Sequence, residues 1–268
     1  MLPKRRRGAF LMKGYLVLLS IFLALPMVIV VAVSFTSASY THFPPRGFSF
    51  KWFFHVFEEP TFVMGIYNSF RLAFATIILS NLIAIPAALA LVRHNFRYGN
   101  TFQSFFMSPL SLPMIVLGVG LLLFSSKLGM GLSFWVLLAG HVVITIPYIF
   151  TTVFGTYRGI EPNLEESSRI LGATNFQTFR YVTLPLIKPG VIVGSIFAFI
   201  MSFDNVPLSI FLTGVTSVTL PVAVLVYLQD NFDPSVAALS TMQLFCIILG
   251  LYILQKLYGL EKLSNLGG

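Results

Sequence analysis

YLVLLSIFLALPMVIVVAVSF, residues Tyr15 to Phe35, is an uninterrupted apolar run of 21 residues without a single Asp, Glu, Lys or Arg. As an α-helix it would rise about 32 Å, enough to cross the hydrocarbon core of a bilayer. Lys4-Arg5-Arg6-Arg7 and Lys13 precede it, and Ser37-Ala38-Ser39 follows. That context also fits a secretory signal with a small-residue cleavage site. A signal's apolar region is only about 7–15 residues long, so the run reads as an uncleaved spanning helix.

Working outward, the same reading recurs. Further apolar runs cover Phe70 to Val92, Phe105 to Phe124, Gly131 to Phe154, Gly190 to Phe203 and Val236 to Tyr258. Lys127-Leu128-Gly129 forms a short hinge between the third and fourth runs. The expectation is an all-α, polytopic membrane protein with six transmembrane helices. The residues from Asp204 to Leu228 are apolar too, but Pro207, Gly214 and Pro221 interrupt them. A seventh span would need an unbroken helix to satisfy its backbone in lipid, so this stretch is read as a re-entrant or outer segment between helices five and six. Pro26, Pro86, Pro113 and Pro147 fall inside apolar runs, where they would kink helices.

Composition agrees. Of 268 residues, 56% are hydrophobic and only 10% charged, and mean hydropathy is +0.87. Soluble domains carry about 25% charged residues, so a soluble enzyme, a disordered chain and a disulfide scaffold are excluded. The single cysteine, Cys246, can form no intrachain disulfide. The net charge of +8 does not indicate nucleic acid, because the positive residues sit in short segments between apolar runs. Thirteen fall on one side: Lys4, Arg5, Arg6, Arg7, Lys13, Arg93, Arg97, Arg158, Arg169, Arg180, Lys188, Lys256 and Lys262. Four fall on the other: Arg46, Arg71, Lys51 and Lys127. By the positive-inside rule both termini are cytoplasmic. The expected organisation is a cytoplasmic N-terminal segment over 1–14, a membrane domain over 15–258 and a cytoplasmic tail over 259–268. The external loop over 36–64, with Pro44-Pro45, Trp52 and several phenylalanines, suits anchoring at the headgroup level and includes a short amphipathic helix from Phe50 to Phe57. A binding role for this loop is the other reading open to it.

The cytoplasmic loop over 157–185 carries the most information. Pro162 suits a first helical turn, with Glu165 and Glu166 near the positive end of the helix dipole. Leu164, Ser167, Ser168 and Leu171 have the spacing of one helix face. Gly172 is a natural stop. Thr174 or Asn175 can cap a second helix with an apolar face of Phe176, Phe179 and Val182, ended by Pro185. So small an exposed pair has little core of its own and must dock on something.

Within this loop, Glu166-Ser167-Ser168, three residues, Gly172, nine residues and then Val182-Thr183-Leu184-Pro185 match the spacing E-A-A-x3-G-x9-I-x-L-P. The loop thereby resembles the signature of the permease subunits of binding-protein-dependent ABC importers, with Ser-Ser in place of Ala-Ala and Val182 in place of Ile. From about residue 65 onward, including Met201-Ser-Phe-Asp204-Asn205 and Phe232-Asp-Pro-Ser-Val-Ala-Ala238, the chain looks like the spermidine/putrescine branch of that family. The resemblance implies a bacterial inner-membrane location. It implies two ATPase subunits, a second, non-identical permease subunit, and an extracytoplasmic solute-binding protein. The loop would fit a groove on the ATPase, with Leu164, Ile170, Leu171 and Phe176 as its anchor, Glu165 or Glu166 paired with a base there, and Leu184 and Pro185 closing the motif. ATP and Mg would be bound by the ATPase, because this chain has no G-x-x-x-x-G-K-[ST] phosphate loop and no expected cofactor of its own.

Asp204 is the only carboxylate in or near an apolar span. A membrane charge normally faces a water-filled path or a partner. It is a candidate for contacting a cationic solute such as a polyamine, and equally for capping the broken segment after it or pairing with Arg71. Asn205, Asn81 and Ser108 are further pathway candidates, though helix packing explains such residues as well. Lone His141 has no second ligand at metal spacing and fits a hydrogen bond to a neighbouring helix. The rival class is an ion-coupled secondary transporter or channel, which would usually show internal repeats or intramembrane charge pairs. A membrane enzyme would need a nucleophile with its base, which is not found.

Overall fold

The computed structural model describes residues 4–94 and 96–258. The tail expected over 259–268 lies outside the described residues. Within them the secondary structure is helical, with no strand. In chain order the helices are α1 (Lys4–Ser34), α2 (Lys51–Glu58), α3 (Pro60–Arg93), α4 (Gly99–Met107), α5 (Met114–Lys127), α6 (Phe134–Arg158), α7 (Asn163–Ile170), α8 (Asn175–Thr178), α9 (Leu184–Phe203), α10 (Ser209–Leu212), α11 (Leu220–Asp230) and α12 (Ser235–Tyr258). Four continuous stretches are long and apolar enough to cross a membrane: Met12–Ser34, Pro60–Arg93, Phe134–Arg158 and Asn175–Phe203. Counting the bent α4–α5 pair as one more gives five. The chain is a multi-pass membrane protein.

Two runs behave differently from the sequence expectation. The third, Phe105 to Phe124, is not one helix. A 3₁₀ turn over Ser108–Ser111 and the extended Leu112-Pro113 pair divide it, and the two halves meet at 101°. Pro109 and Pro113 each remove a backbone donor and crowd the preceding turn, so the break falls where the prolines are. Pro113 therefore precedes α5, whereas Pro26, Pro86 and Pro147 lie inside their helices as expected.

The fifth run begins earlier than Gly190, and Pro185 does not end a helix. α8 passes through a π turn over Phe179–Thr183 directly into α9, with Pro185 in its first turn. In a regular helix Pro185 would press on the Tyr181 carbonyl and leave it without a donor. Widening the turn just before the proline absorbs both defects.

Among the described residues two compact units are distinguishable, 4–63 with 226–258 and 64–225. In the first, α1 and α2 both pack on α12. The loop after α1 is pinned by Thr36 and Ser37, whose hydroxyls donate to the Arg46 carbonyl at 2.9 Å. Phe35, Phe48, Phe50 and Phe53 form a ring cluster with centroids 5.0–5.9 Å apart. The helix expected over Phe50 to Phe57 is α2. At the start of α12 the Asp233 carboxylate accepts from the Ser235 N–H at 2.8 Å and from the Tyr227 hydroxyl at 2.6 Å.

The second unit is built on α6 against α9, the most extensive helix pair among the described residues. Two apolar clusters fill it, one around Leu72, Leu137 and Leu208, the other around Ala84, Phe150, Tyr157 and Ile187. Between them runs a buried polar chain. His141, fully buried, meets the Ser202 and Ser209 hydroxyls at 2.9 and 3.1 Å through its two ring nitrogens. Ser80 and Thr145 pair at 2.7 Å. His141 thus ties α6 to α9 and α10, the interhelical role expected for a lone membrane histidine.

Candidate functional site

The loop between α6 and α9 forms the two short helices its periodicity predicts. α7 ends in a Schellman arrangement: the Gly172 N–H donates to the Arg169 carbonyl at 2.9 Å and the Ala173 N–H to that of Ser168 at 3.1 Å. Gly172 sits at φ +90°, a conformation that costs any other L-residue about 1–2 kcal/mol. Thr174 caps α8 through a reciprocal box. Its hydroxyl accepts from the Gln177 N–H, and the Gln177 side chain accepts from the Thr174 N–H.

The orientation of the pair is inverted relative to a soluble helix hairpin. Its buried groups are polar: Glu165, only 4% exposed, with Thr178 and Thr183. Ser168 and Thr178 share a hydrogen bond at 2.7 Å. Its apolar groups face outward, with Ile170 84%, Leu171 87%, Phe176 72% and Leu164 48% exposed. The expected face of Leu164, Ser167, Ser168 and Leu171 therefore divides, Ser168 turning toward α8 and the others outward. Phe179, Val182 and Leu184 are half-buried and Pro185 is exposed.

The root of the loop is a charged cluster. Arg93, at the end of α3, lies 4.2 Å over the Tyr157 ring. Its Nε donates to the Tyr157 hydroxyl oxygen at 2.9 Å and to Glu165 Oε2 at 3.1 Å. Glu165 also accepts from the Tyr157 hydroxyl at 2.8 Å and from Thr183 Oγ1 at 2.6 Å. Burial pushes the Glu165 carboxyl up, but the hydrogen bonds from Thr183, Tyr157 and Arg93, with the Arg93 charge, outweigh it and hold it below the ordinary value of 4.5. Of the two acidic candidates, Glu165 is thus bonded within its own chain, and the exposed Glu166 is the one left to face outward.

A pH dependence follows. The folded-state value lies below the unfolded one, so the stabilisation is complete above the ordinary glutamate range and lost as pH falls through the depressed value. Amide protection over residues 163–183, corrected for intrinsic exchange, should hold from neutral pH to that range and fall below it. Protection that stays flat under acid would show that the ionised carboxylate does not hold the root.

Arg93, Tyr157 and Thr183 were not singled out from the sequence. Arg93 ends an apolar run and reads there as a topology charge, and Tyr157 and Thr183 have no distinguishing context. The candidate pathway residues are not brought together as one site. Asn205, buried, accepts the Leu208 N–H at 2.9 Å and so performs the capping considered for its neighbour. Asp204 is exposed and makes no ion pair with Arg71, which stacks 4.1 Å over Phe134 instead. Asn81 bridges the Ile77 carbonyl and the Ser195 hydroxyl, both at 2.9 Å. Ser108 is exposed and bonds the Phe105 carbonyl at 2.8 Å.

Long apolar helices with an outward-facing apolar helix pair between two of them define a multi-pass membrane subunit that leaves an apolar surface for a partner to cover. Over residues 80–259 the chain matches the family of binding-protein-dependent transport system inner membrane components, and it belongs to that family. It is a permease subunit of an ABC importer, in which ATP hydrolysis belongs to a separate subunit. It is 30% identical over 248 residues to the spermidine/putrescine transport system permease protein PotC of Haemophilus influenzae, covering 92% of this chain and 96% of that one. To the putrescine transport system permease protein PotI of Escherichia coli it is 29% identical over 232 residues, covering 82% and 81%. In fold it is similar to a chain of a bacterial ABC transporter involved in the import of the acidic polysaccharide alginate, with TM-score 0.73 at 16% identity, covering 96% and 99%.

Proposed function

We propose that this chain forms one half of the membrane pathway of a polyamine importer and is driven through the loop over 157–185 by an ATPase docked there. The observation that carries the coupling role is the inverted loop, whose apolar side chains Leu164, Ile170, Leu171 and Phe176 are exposed while its polar ones are buried. An apolar patch at the tip of a helix pair is what a partner's groove covers. The resemblance to polyamine permeases supports the substrate class.

In this reading six spans arise from α1, α3, the bent pair through α5, α6, the continuous α8–α9 stretch and α12. α10 and α11 form the outer segment between helices five and six. The distribution of basic residues supports an orientation with both termini, the 1–14 and 259–268 segments and the loop on the cytoplasmic side of a bacterial inner membrane. The assembly comprises two ATPase subunits holding ATP and Mg, a second and non-identical permease and an extracytoplasmic solute-binding protein. ATP binding closes the ATPases, the loop levers the helices outward-open, and hydrolysis resets them.

Asp204 is the group best suited to a cationic solute, being an exposed carboxylate at the end of α9. Asn205, Asn81 and Ser108 remain further polar candidates along the pathway, at separate places in the fold. The test is to tag the chain, extract it mildly, identify what copurifies and measure uptake of labelled spermidine and putrescine after reconstitution. An ATPase and a second permease should copurify, and uptake should require ATP. Asp204→Asn should raise the Michaelis constant for polyamine by roughly tenfold, the worth of about 1.4 kcal/mol of lost contact. Unchanged uptake in that variant would remove Asp204 from the pathway. Movement of solute without ATP by the chain alone would return the ion-coupled class.

A further inference from the structure

The three helices that meet at the loop's root are attached to it in different ways. α6 continues into α7 through Gly159–Pro162, and α9 is reached from α8 without a break. Chain connectivity alone hands any displacement of α7 to both. α3 has no such connection, since Arg93 and Glu165 are 72 residues apart in sequence. Among the described residues, every hydrogen bond between α3 and the segment 159–183 is made by Arg93. Its Nε reaches Glu165 at 3.1 Å, and Nη1 and Nη2 reach the Ile160 carbonyl at 3.3 and 3.2 Å.

We infer that Arg93 is a positioning residue that makes α3 a driven helix, delivering the loop's displacement to it through the buried Arg93–Glu165 pair. This rests on the reading that the loop docks on an ATPase. The guanidinium suits the task chemically. Its donors are fixed in one plane and divide among a carboxylate, a carbonyl and a phenol, so it cannot slide on any one of them without breaking charge-assisted bonds to the others. Both side chains are largely shielded, at 19% and 6% exposure, which keeps water from replacing those bonds. Tyr157 is held from three sides, by the guanidinium over its ring and by hydrogen bonds with Arg93 and Glu165, so α6, α7 and α3 share one junction. A lysine at position 93 would keep the charge but not the fork.

The experiment uses the complete transporter, with its ATPase and second permease, in nanodiscs. Spin labels are placed on exposed Leu82 of α3 and exposed Arg169 of α7, and their separation is measured without nucleotide and with ATP. With Arg93 and Glu165 intact, α3 and the loop move as one body, and the separation should be the same in both states. Arg93→Leu alone strands a buried carboxylate, so the decisive variant is Arg93→Leu with Glu165→Gln, which leaves the site neutral. Unlike acid, which leaves the Arg93 charge buried without its partner, that variant holds no unpaired charge, and the amide oxygen introduced at position 165 can keep accepting from Tyr157 and Thr183. It should therefore still bind and hydrolyse with the ATPase, while the label separation changes on ATP binding. Uptake per ATP should fall roughly tenfold, within the range of a typical coupling free energy. Arg93→Lys should fall between the two.

A double variant with normal uptake per ATP and an unchanged separation overturns the inference. A double variant that no longer assembles also overturns it, because the pair would then serve stability alone. If the ATPase does not bind the unaltered chain, the docking reading itself fails, and its failure is seen before any variant is made.

Discussion

Leucine in place of Gly194 is expected to leave almost no stably folded protein in the membrane. A Cβ at Gly194 would lie 2.8 Å from the Ile149 Cα, and one at Gly190 would lie 2.7 Å from the Thr152 carbonyl oxygen. Both obstacles are backbone atoms of α6, and neither can rotate away as a side-chain tip would. Gly190, Gly194 and Ala198 recur at four-residue spacing and are all buried, so a single stripe of α9 sets its approach to α6. Without a hydrophobic drive between helices in lipid, such close packing is a main source of cohesion. Overpacking usually costs about 1–3 kcal/mol, and moving two backbones apart along a whole interface places this case at or above the upper end. The separation would also pull Ser202 away from His141 and Ser195 away from Asn81. The check is the amount of chain in the membrane fraction and its melting temperature in detergent. Gly155→Leu, in α6 where nothing lies within 4 Å of an added Cβ, is the control and should accumulate normally. Normal accumulation and melting of Gly194→Leu would mean that the α6–α9 approach is looser than described.

Truncating the outer face of the loop should abolish coupling without disturbing the permease. Leu171 and Phe176 are among its most exposed side chains, and they make no contribution to the root cluster of Arg93, Tyr157, Glu165 and Thr183. The Gly172 turn and the Thr174 box are also untouched by their removal. Buried anchors at protein interfaces contribute about 2 kcal/mol or more each on truncation, so Leu171→Ala and Phe176→Ala should each weaken ATPase binding by roughly 30-fold. The double variant should bind too weakly to copurify, and ATP-driven uptake should be absent. Titration of the purified permease with the ATPase reads this directly, and amide exchange over 163–183 should be unaltered. Binding within a few-fold of the original would show that the ATPase docks elsewhere.

The sequence by itself determined what one-dimensional patterns can carry. Apolar runs of spanning length require helices in a bilayer, because an isolated segment must satisfy its own backbone there. α1 accordingly covers Tyr15 to Ser34 of the first run, and α3 covers Phe70 to Val92. Gly172 and Thr174 were legible for the same local reason: a positive φ and a reciprocal cap involve residues at most a few positions apart. The family was legible because the spacing of Glu166, Gly172 and Pro185 is itself a sequence property.

Only the tertiary structure decided the rest. Pro113 and Pro185 look alike as helix breakers, yet one divides a helix at 101° and the other is absorbed by a π turn. The difference depends on how the neighbouring turns can widen, not on the proline. Periodicity placed an apolar face on the loop but could not say which way it turns. In the fold Glu165 turns inward to Tyr157, Thr183 and Arg93, the last of them 72 residues away in the chain, and Leu171 and Phe176 lie outside. A buried ion pair acts through space and leaves no periodic trace in the sequence, so the fold had to bring its two halves together before it could be seen.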